Sequence, residues 1–286
     1  MKFRLLLSVV VSAVACVLCA CAEKKDVKLA VFDASLGEGY RTSVAAFDKA
    51  KELGLDGVQV SRNYAAGKPY LTKEQIETLK RKSEETGLKI PSIVVGGLPV
   101  VGNPGAPEYI KAAIDAAKAL GAKNVLVSFF GRDKLSDDNC KLVEAKFAPL
   151  VAQLKLVMPY AEKNGVQICM ENTLSSDENN RVIDAVGSPN LKVYFDSFNI
   201  VYYGHEEVSS IEKLKGRIGE VHLKDKGHKL GSSKEMPKDF SACMAALKRI
   251  GYDGWYCFET HRFNYKKDDI ADTLKYNIKL TKELAK

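Results

Sequence analysis

Short apolar runs recur along this chain, each followed by a longer stretch in which apolar positions return every three or four residues. The runs are KLAVFD (28–33), DGVQV (56–60), KIPSIVV (89–95), KNVLVSFF (123–130), VQICME (166–171), LKVYFD (191–196), GEVHLK (219–224) and GWYCFE (254–259). Amphipathic stretches such as SVAAFDKAKELG, TKEQIETLKRKSEETG, PEYIKAAIDAAKALG and FSACMAALKRIG lie between them. Gly87 and Gly121 stand where two of these helices would end, and Thr72 to Gln75 reads as a capping box that opens one. Runs apolar on both faces predict a parallel sheet covered by helices. Right-handed crossovers then allow an open doubly wound sheet or a closed barrel. The stretch FDASLGEGYR after the first run is too loose for a dinucleotide fingerprint. Eight even units therefore predict an α/β fold, a (β/α)8 TIM barrel over residues 28–286.

Residues 1–20 do not fit that pattern. Lys2 and Arg4 precede an apolar segment that ends in small residues, the make-up of a secretory signal and too short for a comfortable membrane span. Leu18-Cys19-Ala20-Cys21 resembles a bacterial lipobox, with Cys21 as the lipidated residue and 21–27 as anchor and short polar linker. The expectation is an exported, periplasmic or membrane-anchored lipoprotein: a globular domain tethered to a bilayer through its lipid.

Without Lys2 and Arg4 the formal charge falls from +7 to +5. The basic residues are interleaved with acids along helical stretches, so no nucleic-acid-binding stripe is expected. Cys140, Cys169, Cys243 and Cys257 show neither a disulfide framework nor a zinc-knuckle spacing. Cys169 and Cys257 lie inside apolar runs and read as small core residues.

The chemistry is concentrated where the last four runs end. In a barrel of this class catalysis occurs at the C-terminal ends of the strands, and those ends carry Glu171, Asp196, His222 and Glu259. Side chains alternate along a strand, so Cys169 and Glu171, Tyr194 and Asp196, Glu220 and His222, and Cys257 and Glu259 share parity and would face the barrel axis together. One such acid is often only a helix N-cap; four in register on neighbouring strands are a candidate ligand set. Three carboxylates and one imidazole suit one divalent ion: Mn²⁺, Mg²⁺, Co²⁺ or Zn²⁺.

In order, MEN (170–172), FDSFN (195–199), VHLKD (221–225) and FET (258–260) resemble the motifs of the sugar phosphate isomerase/epimerase superfamily, the xylose isomerase-like barrels. The resemblance implies that Glu171 and Glu259 also act as acid–base groups and that Lys224 and Asp225 belong to the rim of the site. In that chemistry a divalent ion holds a carbonyl and its neighbouring hydroxyl and acidifies the proton between them, while one glutamate removes the proton and the other returns it. An isomerase or epimerase is expected first, and a lyase or dehydratase expelling a β-leaving group second. A tethered sugar-binding protein without activity is a third reading, which the presence of both glutamates disfavours. The endonuclease branch needs more histidines than His205, His222, His228 and His261. Export favours a non-phosphorylated sugar, keto-sugar or 3-keto-glycoside as substrate.

The chain departs from the family at positions that touch substrate. Asn199 stands where several relatives place a histidine, Asp177 and His228 fall near a glutamate and an arginine of the ketose epimerases, and Gln59 replaces a common acid. Arg132, His261 and Arg262 lie on loops of the catalytic face and are further candidate substrate contacts, and Tyr202 and Tyr203 would stack on a sugar or cover the barrel mouth. Trp255 is expected at the opposite end. Glu220 would point inward below His222, with Lys192 within reach for a structural ion pair.

Overall fold

The computed structural model describes residues 27–37, 39–260 and 270–286, except the side chain of Arg132. The leader at 1–20, Cys21, most of the linker, His261 and Arg262 lie outside the described residues. The expected barrel is observed. Strands β1 (Lys28–Phe32), β2 (Gly57–Asn63), β3 (Ser92–Gly96), β4 (Asn124–Ser128), β5 (Gln167–Glu171), β6 (Leu191–Asp196), β7 (Ile218–Leu223) and β8 (Trp255–Phe258) pair in sequence order, and β8 closes onto β1. Around them run α1 (Ala45–Glu52), α2 (Lys73–Thr86), α3 (Ala106–Leu120), α4 (Glu144–Asn164), α5 (Ser176–Val186), α6 (Ser197–Tyr202), α7 (Glu207–Lys213), α8 (Phe240–Arg249) and α9 (Ile270–Leu284). Among the described residues no helix is long and apolar enough to cross a membrane.

Local signals act where they were read. Thr72 Oγ1 accepts from Gln75 N and the Gln75 side chain accepts from Thr72 N, so the capping box of α2 is complete. Several strand ends differ from the apolar pattern, those of β2 and β8 among them. β2 continues through Ser61, Arg62 and Asn63, which pair with Val94, Val95 and Gly96, because a ladder is built by backbone groups and tolerates polar side chains; Ser61 bonds Asp33 and Asn63 lines the cleft. β8 stops at Phe258, and Glu259 follows it with its N–H on Leu223 O at 3.2 Å.

Two apolar clusters hold the barrel. The larger lies between strands and helices and includes Val58, Val60, Ile93, Val95, Val125, Val127, Val221 and Leu223. The smaller fills the interior with Ala30, Phe32, Val94, Leu126, Cys169, Tyr194 and Cys257, and Trp255 packs on it from the start of β8. The four described cysteines Cys140, Cys169, Cys243 and Cys257 are free.

One irregularity sets the alignment of the site. Val193 pairs with Ile218, but Tyr194 pairs with Glu220, leaving Gly219 of β7 without a partner on β6. This extra residue is a β-bulge, and it reverses the side-chain alternation that follows. Ile218 faces the helices, and after the bulge Glu220 and His222 face the interior beside Tyr194 and Asp196. Only glycine fits at the bulge, since a Cβ there would lie 2.5 Å from Cys169 Sγ.

Candidate metal centre and cleft

Each member of the set is delivered by its strand end. Asp196 ends β6 opposite His222 of β7, Glu171 ends β5, and Glu259 follows β8. One ligand atom from each lies within 4.8 Å of the others. His222 Nδ1 is 3.1 Å from Glu259 Oε2, 3.6 Å from Glu171 Oε1 and 4.0 Å from Asp196 Oδ2. Asp196 divides its work: Oδ1 accepts from Phe198 N and Asn199 N at 2.7 and 2.8 Å and so caps α6, while Oδ2 points into the centre. The N-cap and the ligand position are one side chain.

Lys224, the residue after β7, brings its ammonium 3.0 Å from Glu259 Oε2 and 3.4 Å from Asp196 Oδ2. Asn199, in the first turn of α6, donates to Glu171 Oε1 at 3.1 Å. These residues open on a cleft of about 300 Å³ whose walls include Phe32, Arg41, Asn63, Tyr203 and the backbone of Gly96 and Gly97. That volume lies at the lower end of small-molecule sites. Arg41 is anchored by its bond to Ser61 Oγ at 2.8 Å.

Burial and charge divide the two glutamates. Burial raises the Glu171 carboxyl above the usual carboxylate range. Burial would do the same to Glu259, but the Lys224 ammonium and the His222 imidazole outweigh it and hold that carboxyl well below the range. Desolvation works against charging Lys224, and the carboxylates of Asp196, Glu259 and Glu171 reverse it.

The donor set fits a divalent cation. Asp196 Oδ2 and His222 Nδ1 are buried with no hydrogen bond of good geometry, only the approach of Lys224 Nζ at 3.4 Å and Glu259 Oε2 at 3.1 Å, and so are placed to take up a further group between them. With the imidazole neutral, three carboxylates face one ammonium, a negative excess that a divalent ion would cancel. Glu171, Asp196, His222 and Glu259 would hold it, and oxygen with imidazole donors admits the hard to borderline metals.

Other candidate residues lie apart from this group. Asp225 is buried and accepts from Gly231 N at 2.8 Å, so its carboxylate folds the loop after β7 instead of facing the cleft. His228 sits in the same loop at φ 64°, its carbonyl accepting from Asn277 of α9 at 3.0 Å. Asp177, exposed on α5, pairs with Lys213 at 2.6 Å. Tyr203 lines the cleft, whereas Tyr202 is exposed and stacks on Phe198. The expected Lys192–Glu220 pair does not form: Lys192 Nζ donates to Gly216 O at 2.7 Å, and Glu220 takes Ser92, Asn124 and Tyr194 instead.

Sequence reasoning passed over Asp33 and the role of Gln59. Asp33 also ends an apolar run, yet its carboxylate accepts from Ser61 Oγ, Ser61 N and Thr42 N and orders the loop that carries Arg41. Gln59 Oε1 lies 2.8 Å from His222 Nε2 across the barrel. Its inward parity with His222 was the available signal.

A closed (β/α)8 barrel whose last four strand ends converge as three carboxylates and an imidazole defines a class of barrel proteins with an oxygen- and nitrogen-donor centre. Within that class, this chain belongs to the xylose isomerase-like TIM barrel family, whose model matches residues 47–284. It is 25% identical over 191 residues to 2-epi-5-epi-valiolone 7-phosphate 2-epimerase of an Actinoplanes species, covering 64% of this chain and 68% of that one. It is 22% identical over 204 residues to inosose dehydratase of Geobacillus thermodenitrificans, covering 60% and 67%. Among solved structures, an L-ribulose 3-epimerase superposes with a TM-score of 0.74 at 19% identity over 91% of this chain and 95% of that one. The 3-keto-D-glucoside 4-epimerase of E. coli superposes at 0.72, with 16% identity over 90% and 100%.

Proposed function

We propose that this protein is a divalent-metal-dependent sugar isomerase or epimerase that removes a proton next to a carbonyl of a non-phosphorylated sugar or keto-sugar. The observation that carries the reading is the pair of glutamates within one four-residue centre, Glu259 beside the Lys224 ammonium and Glu171 beside the Asn199 amide. Two carboxylates in one site suit a reaction in which one group takes a proton and another gives one. When bound, the metal would supply electrophilic stabilisation of charge developing on the substrate oxygens.

The remaining work falls to side chains. Glu259, paired with Lys224 and His222, and Glu171, steadied by Asn199, share the proton transfers: one takes the proton from carbon and the other returns one, to a neighbouring carbon in an isomerase or to the opposite face of the same carbon in an epimerase. Lys224 offers a fixed positive charge on the same side as Glu259. The leader-like residues 1–20 support export, and export favours a free sugar over a phosphorylated one. A β-eliminating dehydratase is the second reading, favoured by the inosose dehydratase relative: it uses the same proton abstraction and differs in what leaves afterwards.

The test is NMR of the purified protein in D₂O with Mg²⁺ or Co²⁺, over free sugars and keto-glycosides, with Glu171→Gln beside it. The expected result is deuterium next to the carbonyl with wild type and at least a hundredfold slower incorporation in the variant, the usual scale for losing an acid–base group. Product structure then separates epimerase from lyase. Metal-loaded wild-type protein that exchanges no proton on any of these substrates would overturn the proposal in favour of a sugar-binding role.

A further inference from the structure

Beneath the centre lies a second buried polar set that ligation does not use. Gln59, Ser92 and Glu220 are fully buried, and Tyr194, Asn124 and His222 nearly so. Ser92 Oγ and Tyr194 Oη each donate to Glu220 Oε1 at 2.8 Å, and Asn124 Nδ2 donates to Oε2 at 2.8 Å. A hydroxyl has a single hydrogen. With both hydrogens given to Glu220, the two oxygens can face Gln59 only as acceptors. Gln59 therefore turns its NH₂ toward them, at 2.8 Å from each, and its carbonyl oxygen toward His222 Nε2, also at 2.8 Å. An amide oxygen accepts only, so Nε2 carries a hydrogen, and when the ring holds just one hydrogen the Nδ1 lone pair is left to face Glu171, Asp196 and Glu259.

We propose that Glu220 is a positioning residue: acting through Ser92, Tyr194 and Gln59, it fixes which ring nitrogen of the neutral His222 carries the hydrogen and so leaves Nδ1 free to take up a cation. Partners beyond the ligands commonly set the tautomer of a ligating histidine. Here the partner is a carboxylate three hydrogen bonds removed, on the same strand as the histidine it orients. The direction of the relay is set at the Glu220 end. Glu220→Gln keeps the shape but can place NH₂ against the hydroxyls. They then donate to Gln59, Gln59 turns over, and NH₂ meets His222 Nε2, which becomes an acceptor. The hydrogen moves to Nδ1, the wrong nitrogen for a ligand.

The inference rests on the metal reading of the site, and the experiment keeps the two apart. The ¹⁵N shift of His222 Nε2 in the metal-free protein, taken at a pH where the ring holds a single hydrogen, reports whether that nitrogen carries it, and calorimetric titration with Zn²⁺ reports affinity. Wild type is expected to carry hydrogen on Nε2. Glu220→Gln is expected to lose it and to bind Zn²⁺ about 10- to 100-fold more weakly. The double variant Glu220→Gln/Gln59→Glu moves the negative charge to position 59, where it accepts from both hydroxyls and from Nε2. It is expected to restore the Nε2 hydrogen and bring Zn²⁺ affinity back to within about threefold of wild type, a rescue that a packing role would not produce. If Glu220→Gln does not fold, Tyr194→Phe removes one arm of the relay and is expected to weaken Zn²⁺ binding about 3- to 10-fold. Hydrogen retained on Nε2 with wild-type Zn²⁺ affinity in Glu220→Gln, or in Tyr194→Phe where that variant is used, overturns the relay. Wild-type protein that binds no Zn²⁺ removes the metal reading, and the Nε2 shift still decides the relay.

Discussion

Asp196 shows why a strand-end acid is ambiguous in a sequence: the same side chain caps α6 with Oδ1 and turns Oδ2 to the centre. The two jobs separate by substitution. Asp196→Ser keeps a capping oxygen and Asp196→Ala does not, so in metal-free protein the serine variant should unfold at higher urea, by about 1 kcal/mol. Both should lose the cation. Asp33 is the other strand-end acid of interest, and its burial pushes its carboxyl up to about 6 from 3.8. Because the folded state holds that proton more tightly than the unfolded chain, the stabilisation is complete below about pH 4 and is lost as pH rises through about 6. Unfolding free energies of wild type and Asp33→Asn, compared between pH 4 and 7, should therefore move against wild type by up to about 3 kcal/mol. A flat difference would show that the Ser61 and Thr42 bonds balance burial. At this scale the four converging residues were legible because strand parity and strand ends are local properties. Asp225, His228 and Asp177 were not, because hydrogen bonds within the loop after β7 decide where the first two sit and an ion pair between α5 and α7 holds the third.

The strands were legible to within about three residues at either end, and the bulge was not. Apolar runs reveal strands, but one extra residue in β7 changes no apolar pattern, since Ile218 and Val221 both belong to the outer face. Its signature, Gly219, looks like any strand glycine until the neighbouring strand supplies Cys169. The bulge predicts a substitution pair. Gly219→Ala should destabilise by about 2–3 kcal/mol through overpacking and should weaken cation binding, because the strand that carries His222 must shift. Adding Cys169→Ala removes the sulfur that a Cβ would strike and should recover part of both, as read from urea midpoints and metal titration. Equal losses in the single and double variants would place the strain elsewhere. The Gln59–His222 bond, which joins residues 163 positions apart across the barrel, was equally invisible, because only closure of the sheet brings β2 and β7 face to face.

For the whole molecule, the eight-unit rhythm was enough to predict a closed barrel, and closure places the cleft at one end and the start of β1 at the other. If Cys21 carries a lipid, as we propose from the lipobox, the tether would join the barrel at the start of β1, the end opposite the cleft. The central claim is that Glu171, Asp196, His222 and Glu259 hold one divalent ion beside a buried lysine. The most direct measurement is anomalous diffraction from crystals grown with Mn²⁺. One strong peak within about 2.0–2.4 Å of a donor atom from each of the four residues is predicted. A peak elsewhere, or none while Lys224 remains against Asp196 and Glu259, would contradict the account and leave a carboxylate–lysine site in its place.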